Sequence, residues 1–171
     1  AEMNAAAAER MELERDLHHA IAHQQLDVHY QPQVQAANGR VCGVEALLRW
    51  PHPTRGQVSP LKFIPIAEES GLIEALGAWV LRQACQQVAH WKSIGIHGVR
   101  MAVNLSAHQL RSRQLVGTVR EAMHAHGVQA GELELEITES AVMKDPQAAI
   151  DTLQAWVTRL VRLVITQSLA G

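Results

Sequence analysis

Residues 99–140, VRMAVNLSAHQLRSRQLVGTVREAMHAHGVQAGELELEITES, contain two short apolar runs on either side of a longer segment. The runs at 99–106 and 134–140 are rich in Val, Leu, Ile and Thr, which favours strands. The segment between them, 108–127, has the composition of a helix. A strand, a helix of this length and a second strand predict a right-handed crossover between parallel strands of one sheet.

The same alternation extends in both directions along the chain. Downstream, the sequence predicts a helix at 146–160 and a strand at 161–166. Upstream, it predicts two strands and then two helices, at 28–35, 40–50, 61–70 and 72–95. Asn38-Gly39 is a tight-turn signal between the strands, and Gly71 separates the helices. The fold class is therefore α/β with a parallel sheet, and an open doubly wound sheet or a (β/α)8 barrel both fit.

The segment between these strands and helices, 51–60, reads PHPTRGQVSP and predicts a loop because it is rich in Pro and Gly. No GxGxxG or GxxxxGK[ST] motif follows any predicted strand. This absence disfavours the sheets that bind nucleotides through a glycine-rich phosphate loop.

Composition and charge exclude several classes of protein. The chain has 171 residues, 47% hydrophobic and 19% charged, which is typical of one soluble globular domain. A net charge of −2 disfavours an extended DNA or RNA surface. Cys42 and Cys85 form no disulfide or metal-binding pattern, so we expect a reducing compartment. No run is long and apolar enough to contact or cross a membrane, and no signal peptide is evident, so we expect a cytoplasmic protein.

The first 25 residues, rich in Ala, Glu, Arg and Leu, predict a helix. This helix is either a connector between domains or the first helix of the domain itself. We take residues 1–25 as a connector helix and 26–171 as the domain. A helix that begins so abruptly indicates a longer parent protein.

Polar side chains lie towards the ends of three predicted strands, at Glu45, Asn104 and Glu136. In a barrel, functional side chains gather where the strands end. Two carboxylates and an amide oxygen are hard ligands that suit Mg²⁺, Mn²⁺ or Ca²⁺. Each residue also has a simpler interpretation: Glu45 could face solvent, Asn104 could cap the next helix, and Glu136 could point outward.

Five motifs of the chain resemble the EAL domain, the bacterial cyclic-di-GMP phosphodiesterase family. They are YQPQ at 30–33, EALLRW at 45–50, FIPIAEESGLI at 63–73, NLS at 104–106 and LELEITES at 133–140. The motifs occur in the family's order and spacing from about residue 27 onward. The N-terminal segment also resembles the connector that follows a GGDEF domain in tandem GGDEF–EAL proteins.

The resemblance implies a (β/α)8, TIM-barrel-like fold that binds cyclic di-GMP at the carboxyl ends of its strands. Active members hydrolyse cyclic di-GMP to linear pGpG with two Mg²⁺ or Mn²⁺ ions. The roles that the resemblance assigns fall into three groups: metal ligands at Glu45, Asn104 and Glu136, substrate contacts at Gln31 and Arg49, and bracing of an active-site loop by Glu139.

The chain departs from the family pattern at Thr166 and Gln167, which occupy the positions of two metal-binding aspartates. The family's later Lys, Glu and Gln have no counterpart before Gly171. Two neutral side chains in place of two carboxylates weaken a site that must hold two divalent cations. We therefore expect a phosphodiesterase domain with negligible activity. The alternatives are a non-catalytic module that senses cyclic di-GMP or contacts proteins, and a truncated gene.

The length of the chain also limits the barrel. A closed (β/α)8 barrel has about 250 residues, so we expect an incomplete barrel with about its first five strands. Exposed sheet edges then predict a homodimer, through exchange of elements or another rearranged packing.

Several other residues have less specific interpretations. His19 and His23 are four residues apart on a predicted helix and could share a zinc ion, but no third ligand lies nearby in sequence, so exposure is the better reading. His52, in WPHP, is expected to shape a loop near the site. Three tryptophans on predicted helices are expected in the core or at an interface: Trp79, Trp91 and Trp156.

Overall fold

The computed structural model describes residues 2–147, 150–151, 154 and 161–166. Its helices are α1 (Glu2–Ala22), α2 (Pro60–Ser70), α3 (Leu72–Ser93), α4 (Ala107–Leu110), α5 (Leu115–His126) and α6 (Glu139–Lys144). Its strands are β1 (Asp27–Val34), β2 (Val41–His52), β3 (Gly56–Val58), β4 (Arg100–Leu105), β5 (Leu133–Thr138) and β6 (Arg162–Thr166).

The strands form one sheet in the order β1-β2-β4-β5-β6, with β3 paired to β2. The β1–β2 pair is antiparallel, whereas β2, β4, β5 and β6 are parallel neighbours. Helical segments connect the parallel strands, as the alternation of the sequence predicts. The α/β class with a parallel sheet is confirmed.

One face of the sheet is apolar and forms the core with the helices. Because successive side chains of a strand point to opposite faces, every second residue of β4 and β5 belongs to this face. These residues are at most 5% exposed: Met101, Val103, Leu105, Leu133, Leu135 and Ile137. Trp79 is buried on α3 and Trp91 packs partly against the same core, as expected. Trp156 lies outside the described residues.

The turn between α2 and α3 depends on glycine. Ser59 caps α2 by accepting a hydrogen bond from the Leu61 backbone N–H, and Pro60 is the first helical residue. Gly71 ends α2 with φ of 76°, a left-handed conformation that glycine adopts without steric cost. The predicted break at Gly71 is therefore confirmed, and α2 begins at Pro60, one residue before the predicted start.

Two local predictions were wrong. The 51–60 loop contains β3, which pairs with the last three residues of β2. The single helix predicted at 108–127 is two helices, because Leu110 and Leu115 are both buried. Residues five apart in a continuous helix lie about 140° apart on its surface, so the intervening turn is needed to bury both.

The end of the described chain also differs from the expectation. A short helix, α6, directly follows β5. The helix predicted at 146–160 falls largely outside the described residues, whereas the strand predicted at 161–166 is present as β6.

The N-terminal helix α1 packs on the same core as the sheet. Leu13, Leu17 and Ala20 are each at most 4% exposed and belong to the main hydrophobic cluster. The division between a connector at 1–25 and a domain at 26–171 stays a prediction. In the part of the chain that the structure describes, no helix has the length and apolar character to cross a membrane.

The two cysteines occupy different environments. Cys85 on α3 is completely buried, and this burial raises the pKa of its thiol to about 12. Cys42 on β2 is half-buried, with its Sγ 3.5 Å from the backbone carbonyl oxygen of Gln33. Neither forms a disulfide.

Candidate metal and ligand site

The register of the sheet places Glu45, Asn104 and Glu136 on one face. Glu45 pairs with Ala102 on β4, two residues before Asn104, and Asn104 pairs with Glu136 on β5. Positions two apart in a strand share a face. The three side chains therefore lie on the face opposite the apolar core, on three adjacent parallel strands.

Hydrogen bonds connect these side chains to one another and to β1. Asn104 Nδ2 donates to Glu45 Oε1 over 2.7 Å. Gln33 Nε2 donates to Glu136 Oε1 over 3.4 Å, which is a weak hydrogen bond. Within the part of the chain that the structure describes, no hydrogen bond engages the amide oxygen of Asn104 or the second oxygen of either carboxylate.

The electrostatics of this face disfavour the charged form of Glu136. Glu136 is only 8% exposed. Burial raises the pKa of its carboxyl above the ordinary value, and the charges of Glu45 and Glu134 raise it further. The hydrogen bond from Gln33 acts in the opposite direction. Burial of like charges at one place without full compensation is typical of functional sites.

The simpler interpretations of the three residues do not hold. Glu45 is half-buried and Glu136 is buried, so neither is a solvated outward residue. The cap of α4 is Ser106, which accepts from the Gln109 backbone N–H, and not Asn104.

The prediction that Glu45 lies near the end of its strand was wrong. β2 continues for seven residues to His52, because β3 pairs with its final residues. The parallel pairing of β2 with β4 ends one residue after Glu45, at Ala46. Glu45 is therefore near the end of the parallel part of the sheet only.

A cavity of about 450 Å³ lies between the strand ends and helices α2 and α3, and of the three residues only Asn104 lines it. Its polar lining includes Arg49, Asn104 and Thr138, and its apolar lining includes Leu61, Ile64 and Pro65. Arg49 is half-buried, and its Nη1 donates only to the neighbouring Leu48 carbonyl in the described structure. The cavity thus combines apolar walls with a guanidinium group and the Asn104 amide.

The other predicted site residues that the structure describes lie on β1, α6 and β6. Gln31 is exposed and pairs in register with Glu45. Glu139 is the exposed first residue of α6, directly after β5. Thr166 pairs with Thr138, which places it on the same sheet face as Glu136. Gln167 lies outside the described residues.

Sequence reasoning missed two residues of this face, Gln33 and Glu134. Gln33 contacts Glu136. The sequence signal for Gln33 is its position two residues after Gln31, which places both on the same face of β1. Glu134 is buried beside Glu136 and interacts with two arginines on adjacent strands, at 3.1 Å from Arg100 and 3.6 Å from Arg162. The repeated Glu in ELELE is the sequence signal for Glu134.

The donor set fits a hard divalent cation. Two carboxylates and an amide share this face, and their oxygen atoms are ligands that suit Mg²⁺ or Mn²⁺ better than zinc. No cluster of three or more His, Cys, Asp or Glu side chains that could hold a metal occurs among the described residues. A cation here would therefore depend on Asn104 and on ligands from outside the protein in addition to Glu45 and Glu136.

The histidines do not form a second site. His19 and His23 are exposed with stacked rings 3.8 Å apart. His52 is buried at the end of β2, where its Nδ1 accepts from the backbone N–H groups of Thr54 and Arg55. It therefore shapes this turn, as predicted.

Comparison with known proteins shows close relatives. The chain is 54% identical over 153 residues to an uncharacterized signaling protein of Caulobacter vibrioides, covering 90% of this chain and 18% of that protein. It is 46% identical over 152 residues to MucR of Pseudomonas aeruginosa, a bifunctional diguanylate cyclase/cyclic di-GMP phosphodiesterase, covering 89% and 22%. The chain thus spans about a fifth of the length of these relatives.

The fold matches a solved structure from the same group. The MucR phosphodiesterase in its c-di-GMP complex superposes with a TM-score of 0.87 at 42% identity, covering 94% of this chain and 65% of that chain. This match confirms the TIM-barrel-like EAL fold. The EAL domain model matches residues 14–171. The chain belongs to the EAL domain family.

Proposed function

We propose that the chain binds cyclic di-GMP together with Mg²⁺ or Mn²⁺ at the face that carries Glu45, Asn104 and Glu136, as a phosphodiesterase-type domain of bacterial signalling. The shared face of these three residues carries the proposal, together with the cavity that Asn104 and Arg49 both line. The MucR relative, described as a c-di-GMP complex, supports the choice of ligand.

Some residues of the site would bind the cation and others the substrate. Glu45, Asn104 and Glu136 would hold the cation through oxygen atoms. Arg49 offers a planar pair of donors that suits phosphate oxygens, and Gln31 contributes a polar contact to the ligand. Glu139 braces the segment after β5. When bound, Mg²⁺ or Mn²⁺ supplies charge screening at the phosphate and a more acidic bound water.

Hydrolysis to pGpG is proposed to be very weak, because Thr166 and Gln167 stand where active family members have two aspartates. Thr166 faces the same side of the sheet as Glu136 and carries no charge. Neutral side chains here lower the affinity for a second cation, and two-metal displacement requires both. A non-catalytic sensing or protein-contact module is the second candidate, and the same Thr166 position favours it.

Calorimetry with cyclic di-GMP tests the binding part of the proposal. In Mn²⁺, the wild-type chain is expected to bind, and Arg49→Ala to weaken binding about tenfold or more through loss of the charged donors. Arg120→Ala, an exposed arginine on α5, is the matched control and should bind normally. Absence of binding by the wild-type chain would refute the proposal.

Chromatographic detection of pGpG tests the hydrolytic part. The wild-type chain is expected to show little product, and Thr166→Asp/Gln167→Asp is expected to raise the rate by restoring two charged ligands. Ordinary turnover by the wild-type chain would refute the assignment of weak activity. Binding without turnover in both proteins would favour the sensing module.

Self-association and location are further proposals. Exposed apolar side chains occur at Met143, which is 70% exposed, and at Ile165 on β6, which is 54% exposed. They support the proposed homodimer, which light scattering on a size-exclusion column would test. A cytoplasmic location, within a longer GGDEF–EAL parent, stays a prediction.

A further inference from the structure

Gln33 contacts Glu136 across two intervening strands. Gln33 is on β1 and Glu136 on β5, with β2 and β4 between them in the sheet order. Three strand spacings in a flat sheet amount to about 14 Å, well beyond the reach of a glutamine side chain. The 3.4 Å separation of Gln33 Nε2 and Glu136 Oε1 therefore requires the curvature of a barrel.

Gly43 leaves the space that Gln33 uses. Gly43 is the register partner of Gln33 on β2. A Cβ atom at this position would lie 2.9 Å from Gln33 Oε1 and 3.3 Å from the Arg100 carbonyl oxygen. The first distance is shorter than a Cβ tolerates, so a side chain at position 43 displaces the Gln33 amide.

We propose that Gln33 is a positioning residue for Glu136 and that Gly43 is required because it lets the Gln33 amide cross β2. The amide hydrogen occupies Oε1 of the carboxylate and fixes its rotation. Oε2 is then left free to face a cation. This inference rests on the proposed function, because it assigns a role to Gln33 within the same metal site.

A double-mutant cycle on Mn²⁺ affinity, measured by calorimetry, tests the arrangement. Gln33→Ala is expected to weaken Mn²⁺ binding about tenfold, as loss of an outer hydrogen bond to a metal ligand does. Gly43→Ala should weaken binding similarly by displacing the amide. The double variant should be no weaker than Gln33→Ala alone, since both changes remove one interaction. Gln57→Ala, an exposed glutamine on β3, is the control and should bind normally.

Additive losses would overturn the role of Gly43, and wild-type affinity in Gln33→Ala would overturn the role of Gln33. Thermal unfolding of each variant shows whether the fold is retained. A crystal structure of the metal-free variants provides a readout that needs no cation: the Glu136 carboxylate should occupy one rotamer in the wild type and several in Gln33→Ala. A single, unchanged Glu136 rotamer in Gln33→Ala would overturn the inference, whether or not the wild type binds Mn²⁺. Absence of Mn²⁺ binding by the wild type would refute the proposed metal site instead.

Discussion

Charged side chains are arranged in opposite ways at the α1 side of the molecule and at the polar face of the sheet. At α1, acids and bases pair with each other, and we call this set of contacts the α1 clasp. Its pairs are Glu9–Lys62, Glu9–Arg55, Glu12–Arg55, Arg10–Glu69 and Asp16–His52. At the sheet face, Glu45, Glu134 and Glu136 are close enough for like charges to raise the pKa of Glu136.

The difference indicates what each region is for. Exposed pairs of opposite charge add modestly to stability. The α1 clasp joins α1 to α2 and to the turn after β2, so its pairs should help to hold these segments together. Like charges collected in a partly buried place reduce stability, and such a cost is common at functional sites. Removal of the Asp16 carboxylate at α1 and of the Glu45 carboxylate at the sheet face should therefore have opposite effects on stability.

The largest effect is expected from Glu45→Gln. Loss of a charged ligand should lower Mn²⁺ affinity about tenfold or more. The same change should raise the unfolding temperature of the metal-free chain, because Glu136 loses a repelling neighbour while the Asn104 hydrogen bond keeps an acceptor. Calorimetry and thermal unfolding measure the two quantities, with Glu121→Gln on exposed α5 as the control. A lower unfolding temperature of Glu45→Gln would contradict the predicted difference between the sheet face and the α1 clasp.

The next largest effect is expected from Asp16→Ala in the α1 clasp. His52 Nε2 donates to Asp16 Oδ2 over 3.2 Å, and the His52 side chain is only 6% exposed. Removal of the acceptor leaves a buried N–H unsatisfied and should cost about 1–2 kcal/mol of unfolding free energy. Urea denaturation measures it against Glu14→Ala, an exposed acid of the same helix. Equal stability of the two variants would contradict the role of the pair.

A smaller effect is expected in the pH dependence of the α1 clasp. Burial raises the pKa of the Asp16 carboxyl, but the hydrogen bonds from Arg15 and His52 outweigh it, and the pKa lies below the ordinary 3.8. A carboxyl whose pKa is lower in the folded than in the unfolded protein stabilises the fold at pH values above its unfolded pKa. This stabilisation is lost as the pH falls through its folded pKa. The stability gap between wild type and Asp16→Ala should therefore shrink below about pH 4. A gap independent of pH would show that the Asp16 charge contributes nothing.

The smallest effect is expected from Lys62→Ala. The side chains of Lys62 and Glu9 are 64% and 44% exposed, so solvent screens their pair. The cost should be no more than about 0.5 kcal/mol. A loss comparable to that of Asp16→Ala would show that the α1 clasp acts as a cooperative network, and not as separate pairs.

The alternation of strands and helices was sufficient to predict the parallel sheet, and the positions of Glu45, Asn104 and Glu136 on three of its strands predicted that these residues gather in one place. These features follow from local patterns of period two and from the parallel direction of the strands. The pairing of Glu45 with Asn104 also needs only neighbouring strands. Such features can be read from sequence because each depends on residues close together or on adjacent strands.

The missed features depend on contacts that are distant in sequence. Gln33 and Glu136 are separated by 103 positions and meet only through the curvature of the sheet. β3 forms because β2 continues beyond the parallel sheet and offers a free edge to Gly56–Val58. The break between α4 and α5 reflects burial of Leu110 and Leu115 against a core assembled from other segments.

The contrast between the two cysteines gives the protein a single natural attachment point for a probe. Thiolate is the form that reacts with maleimides, and Cys85 is both inaccessible and held as the thiol at neutral pH. Cys42 is accessible, adjoins Gly43 in the chain and touches the Gln33 backbone. A fluorophore on Cys42 would therefore report on this part of the sheet without any engineered cysteine, and its emission could follow cation binding directly.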